Sequence, residues 1–158
     1  MLILLGLLAC GADPTIINGN VAGETMGEPL TAMWGGPFIV FVKDQLDCRD
    51  LDFTRRTYDQ GNAPVDFNMV ALQFSFDAPD VSEGVFSTEG TDAVVDAKTL
   101  IVSGGAFNEV RDRTGTINVS SVVDRDPLEG SFDVTFSDDE GSFSTGYFYA
   151  EYCINLIQ

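Results

Sequence analysis

Protein chemistry usually runs on a nucleophile with its base, a metal with its ligands, or a pair of acids. This chain is poor in the first two. It has no histidine in 158 residues, which closes the Ser-His-Asp and Cys-His schemes. Its three cysteines, Cys10, Cys48 and Cys153, are scattered, and without imidazole they do not make a zinc site. Residues 141–146 read Gly-Ser-Phe-Ser-Thr-Gly, so Phe143 stands where the nucleophile of a G-x-S-x-G elbow belongs. Ser103-Gly104-Gly105 lacks the strand-to-helix setting of a phosphate loop. Acids remain: a glycosidase-like carboxylate pair has 25 acidic residues to draw on, and no spacing singles one out. The clusters Asp124/Asp126/Glu129 and Asp138/Asp139/Glu140 offer the oxygen ligands Ca²⁺ takes, yet neither spells an EF-hand loop and turn chemistry accounts for both. Trp34, Tyr147, Tyr149 and Tyr152 suit a ligand surface such as a sugar platform, but core and girdle packing is the leading reading for them. The expectation is a non-enzyme with no catalytic residue, cofactor or resident metal.

Charge narrows the partners. Eight basic against 25 acidic residues give −17, a field that repels nucleic acid phosphates and anionic membrane surfaces. Asp outnumbers Glu 17 to 8, as expected of a β protein that spends its acids in turns.

Residues 1–9 (MLILLGLLA) are almost wholly apolar and stop at Cys10-Gly11-Ala12-Asp13-Pro14. That is short of the ~20 residues that span a bilayer, and it has no polar face for a core helix. It reads as a signal peptide. Leu7-Leu8-Ala9-Cys10 resembles the lipobox of bacterial lipoproteins. The resemblance implies cleavage before Cys10, its acylation with diacylglycerol, and a lipidated tether over residues 10–14. It makes the membrane a partner through that lipid. Gly11 in place of Asp after the cysteine implies outer-membrane sorting within the cell envelope. Cys48 and Cys153 are then an even pair outside the cytoplasm, where a disulfide is expected. It would close a loop of about 100 residues, worth up to ~4.7 kcal/mol by the chain-entropy argument.

The elements that must position these groups read as strands in one β domain over residues 15–158. Residues 15–34 predict two short strands with a turn at Ala22-Gly23-Glu24. Residues 37–42 are continuously apolar, as in a central strand buried on both faces. Residues 43–62 predict a long loop with a helical turn. Residues 66–77 alternate, with Val70, Leu72, Phe74 and Phe76 on one side, and residues 84–88 form a short strand. A helical turn over 92–98, a β-like 99–102 and a polar loop over 108–115 follow. Residues 116–123 alternate, with Ile117, Val119 and Val123 on one face. The last stretch, 129–153, is a hairpin with Phe132, Val134 and Phe136 inward. Phe143 falls on one parity and Phe148, Ala150, Tyr152 and Ile154 on the other, so a β-bulge at Gly146 must switch the phase. The sum is an all-β protein of about eight or nine strands, an antiparallel β-sandwich or an up-and-down β-barrel.

The sequence Ile17-Asn18-Gly19-Asn20-Val21-Ala22-Gly23, the apolar strand before Cys48, the run Gly130-Ser131-Phe132-Asp133-Val134-Thr135-Phe136 and the final Tyr152-Cys153 resemble an uncharacterised all-β domain of bacterial lipoproteins. The resemblance implies an envelope-anchored β domain with one disulfide and carries over no catalytic residue. The leading expectation is a lipid-anchored envelope protein with a non-enzymatic β binding or structural module and a protein or glycan partner. The alternatives are a lipocalin-like carrier of a small apolar ligand, motivated by the meander and twelve phenylalanines, and a carboxylate-based glycan hydrolase with two acids about 5–10 Å apart.

Overall fold

The computed structural model describes residues 15–29, 31–50, 69–89, 94–103, 106–136 and 140–157. Residues 1–9, expected to be a signal peptide, residues 10–14, expected to be a lipidated tether beginning at Cys10, and Asp138 and Asp139 lie outside the described residues.

The protein is all-β. Its strands are β1 (Asn18–Val21), β2 (Thr31–Gly35), β3 (Phe38–Val42), β4 (Met69–Phe76), β5 (Gly84–Ser87), β6 (Val95–Ser103), β7 (Ala106–Ser121), β8 (Leu128–Phe136) and β9 (Gly141–Tyr152). A 3₁₀ helix (Ile154–Ile157) follows. The sheet is curled and mostly antiparallel. Pairing runs from β2 through β3, β4, β6, β7 and β8 to β9. It returns to β2 by a short parallel step, Met33 beside Glu151 and Trp34 beside Tyr152.

The two long strands make the curl. β7 pairs with β6 over its first half, then with β5 on that edge and β8 on the other. β9 pairs with β1 at its start and β2 at its end, with β8 along its other edge. Register shifts at Asp112/Thr114 and Val119/Ser121 of β7 mark where it bends, as bulges do.

Turn chemistry fits the register. Ala22 and Gly23 both have positive φ, 52° and 84°, the signature of a two-residue I′ hairpin turn, and Val21 pairs with Glu24 across it. Gly36, at φ 51°, followed by Pro37 with its fixed φ, fits a II′ turn between β2 and β3.

The interior is filled by phenylalanine. Phe41, Phe74, Phe132 and Phe148 contact one another at centroid distances of 5.0–6.4 Å. These tilted and edge-on geometries are the favoured ones for aromatic pairs. Gly130 exists to admit this packing, because a Cβ there would run into the Phe148 ring and the Asn118 carbonyl. A second apolar cluster lies outside the sheet: Val40, Val42, Met69, Ala71 and Val102 pack under Leu46, Leu156 and Cys153. β3 is therefore buried on both faces, as its apolar run predicts; the first half of β4 is too, although its alternation predicts two distinct faces, because Met69 and Ala71 lie under the same cover.

Several expectations meet a different structure. Residues 108–115 are part of β7, not a polar loop, and residues 95–98 are the start of β6, not a helical turn. The charges that suggest a loop form an outer face shared by the two strands. Lys98 pairs with Glu109 at 3.6 Å, and Arg111 with Asp96 at 3.1 Å and Glu109 at 2.8 Å. A half-exposed strand accepts charge on alternate residues. Val123 and Ile154 are 52% and 57% exposed rather than inward, because the chain has left the sheet at both points. Within the described part of residues 43–62, the helical turn is present at 48–50.

Candidate functional site

The site is built where the last strand returns to the second. Thr31 on β2 is buried, and its Oγ1 donates to the carbonyl of Asp44 at 2.8 Å or that of Leu46 at 3.2 Å. The same oxygen accepts from the Leu46 N–H at 2.7 Å. One hydroxyl thus pins the 44–46 segment to the sheet. Asp47 then caps the helical turn. Its Oδ1 accepts from the N–H groups of Arg49 at 2.7 Å and Asp50 at 2.9 Å, and Asp50 Oδ2 accepts from the Asp47 N–H at 3.1 Å. This reciprocal pattern is a capping box with aspartate at both ends. The Asp50 and Arg49 N–H groups, with the nearby Arg49 charge adding a little, hold the Asp47 carboxyl below its usual range. The turn presents Cys48, which is joined to Cys153 with Cα atoms 5.5 Å apart.

Beside this bond lies an open cleft of about 610 Å³. Thr15, Glu28, Met33, Gln45, Tyr149 and Glu151 are among its walls. Tyr149 is held there from behind, its N–H donating to Thr15 Oγ1 at 3.0 Å. Tyr152 also reaches the cleft and meets the Trp34 ring edge-on at 5.2 Å. Chemically the cleft offers aromatic surface and carboxylates, and no basic side chain among its described walls.

The β9 bulge brings the tyrosines out. Gly130 of β8 faces Phe148 and Phe132 faces Thr145, so β9 holds an extra residue at 146–147, at the expected Gly146. Phe143 and Thr145 point inward before it, Phe148 and Ala150 after it. Tyr147 and Tyr149 therefore stand on the outer face, half-buried. Trp34 does not join them. It is 4% exposed, and its Nε1 donates to the Asp126 carbonyl at 3.0 Å.

Comparison with protein-family models, curated proteins and solved structures finds no match.

The described calcium candidates of the first cluster are engaged separately. Asp124 is exposed and 4.0 Å from Arg125, Asp126 contributes its backbone carbonyl to Trp34, and Glu129 lies on β8 beside Tyr149. In the second cluster, Asp138 and Asp139 fall outside the described residues, and Glu140 is exposed just before β9. Glu140 serves there through its backbone, its carbonyl accepting from the Ala22 N–H at 2.8 Å. That bond ties the β9 start to the first hairpin. Among the described residues, no three carboxylate or cysteine side chains converge on a possible metal position.

Sequence reasoning missed Thr15, Thr31 and Asp47. The Asp-x-x-Asp spacing at 47–50 was the available signal for the cap. Nothing local marks Thr15 or Thr31, whose partners are 134 and 15 residues away.

Proposed function

We propose that the protein is a lipid-anchored component of the cell envelope, of the outer membrane, whose β domain is a non-enzymatic binding or structural module. The observation that carries this reading is the odd cysteine. Cys48 and Cys153 are bonded to each other, which leaves Cys10 of three cysteines, at the end of an apolar run and within Leu-Leu-Ala-Cys. A signal peptide ending in that pattern is the acylation signal of bacterial lipoproteins, and the disulfide belongs to the same oxidising compartment. The packed phenylalanine interior speaks against a carrier that holds an apolar ligand inside the sheet. In a bacterial host, radiolabelled palmitate should enter the full chain and not a Cys10→Ser variant, with processing blocked by globomycin. An unlabelled wild-type chain in the soluble fraction would overturn the anchor.

A further inference from the structure

We propose that the cleft beside the Cys48–Cys153 bond binds a small organic cation, an ammonium or guanidinium group on an aliphatic stem. This deepens the binding-module reading and does not depend on the anchor. The cleft follows from the strand order. β9 leaves β1 at Ser144 and meets β2 only at Glu151 and Tyr152. In the interval the Thr15 hydroxyl takes the Tyr149 N–H, and the cleft opens there. Met33 and Glu151 lie side by side across the parallel step, so Tyr149, two residues before Glu151, shares their face. Three bonds hold the walls: Thr15 to Tyr149, Thr31 to Leu46, and Cys48 to Cys153. They join segments 134, 15 and 105 residues apart. A cleft fastened from such distant segments exists before its ligand arrives, which lowers the cost of binding. Its volume of about 610 Å³ lies in the range of small-molecule sites.

Charge selects the occupant. Glu28 and Glu151 are exposed on the cleft walls, and among the described residues neither side chain has an ion pair or hydrogen bond. Asp47 lies there too, but its Oδ1 caps the turn and Arg49 stands near it. A smaller cavity, of about 330 Å³ beside Glu24 and Lys43, makes the contrast. There the chain supplies its own cation, with Lys43 at 3.8 Å from Glu24. The larger cleft has no basic side chain among its described walls, on a chain of net charge −17 whose field draws cations. A bare metal ion needs several oxygens converging on one point, and no three acids do so among the described residues. An organic cation needs less convergence and more apolar surface. Met33 and Leu46 line the cleft for its stem. The face of the Tyr149 ring attracts its charged head, and no contact among the described residues engages that ring.

Isothermal titration calorimetry of the purified full chain tests the proposal, in about 0.15 M salt so that the general field is screened beyond ~8 Å. Cadaverine is the probe, pentanediol its uncharged counterpart and magnesium chloride the inorganic cation. Cadaverine should bind saturably at one site and pentanediol should not. Glu28→Gln and Glu151→Gln should each weaken cadaverine binding about fivefold. Tyr149→Leu should weaken it about threefold, while Tyr149→Phe, which keeps the ring, should bind as wild type does. Asp133→Asn removes the same charge from an exposed position on β8, away from the cleft, and should leave binding unaltered. If Tyr149→Leu loses its near-ultraviolet circular dichroism, the two exposed glutamate variants carry the test. No saturable binding of cadaverine, equal binding of pentanediol, displacement by equimolar magnesium, or equal weakening by Asp133→Asn would each overturn the proposal. Palmitate labelling at Cys10 is read separately, so failure here is distinguishable from failure of the anchor.

Discussion

One sheet has two outer faces in this protein, and they are finished in opposite ways. Over β2, β3, β4 and the end of β6, outward positions are apolar, at Val40, Val42, Met69, Ala71 and Val102. Leu46, Leu156 and the Cys48–Cys153 bond cover them. Over β1, β9, β8, β7 and β5 the outward positions are mostly hydroxyl and amide, with Asp133, Val85 and Tyr149 among them, and are exposed or half-buried. The inner side is the same apolar interior for both halves. The difference teaches that the disulfide is a fastening for a third layer rather than a brace for the sheet. Its 105-residue separation ties the segment after β3 to the segment after β9, and those two segments are the cover.

The comparison can be broken from the covered side first. Replacing Cys48 and Cys153 together by alanine should lower stability by up to ~4.7 kcal/mol, read as a fall in the urea midpoint. The same fall should follow reduction of the wild-type protein. Leu156→Ala, which truncates the 3₁₀ helix where it seals the cluster, should cost about 2–5 kcal/mol in chemical denaturation. A cost below ~1 kcal/mol would mean the cover is not packed as described. Thr31→Val keeps the shape but leaves the Leu46 N–H without its acceptor, for about 1–3 kcal/mol. Equal midpoints for Thr31→Val and wild type would contradict the pinning role.

The bare face should be indifferent by contrast. Thr116→Lys should stay within ~0.5 kcal/mol of wild type in the same measurement, and a large loss would show that this face is covered too. The smallest effect belongs to Asp47. Its folded pKa lies below the ordinary value of 3.8, so its stabilising contribution is present above about pH 4 and is lost as pH falls through the folded value. Asp47→Asn should therefore flatten the acid side of the stability–pH curve and leave its shape above pH 5 unchanged.

Much of the sheet was legible because strand parity is a local property. Phe132, Val134 and Phe136 alternate with Ser131, Asp133 and Thr135, and all six face as the alternation says. The β9 bulge was legible for the same reason, since the apolar parity changes across a glycine. The loop expected at 108–115 failed where parity is carried by charge: Glu109 and Arg111 look like loop residues until Lys98 and Asp96 stand across from them. Trp34 takes the core-packing role of the two the sequence left open, but its interior partner, a backbone carbonyl 92 residues away, was not legible, because a carbonyl leaves no mark on side-chain pattern.

By itself the sequence determined that the chain is all-β, which residues of each strong strand share a face, and that the phase must change at Gly146. These follow from the two-residue repeat of the pleat and from glycine's lack of a side chain. It also determined the absence of imidazole chemistry, since no fold can supply a histidine. The tertiary structure alone decided that β9 lies between β8 and both β1 and β2, which apolar face is covered, and that Tyr149 and Glu151 share a cleft with Glu28 and Met33. Pairing between distant strands is chosen by how a curled sheet buries its interior and closes its edges. That free energy belongs to the whole sheet and is written in no single stretch of it.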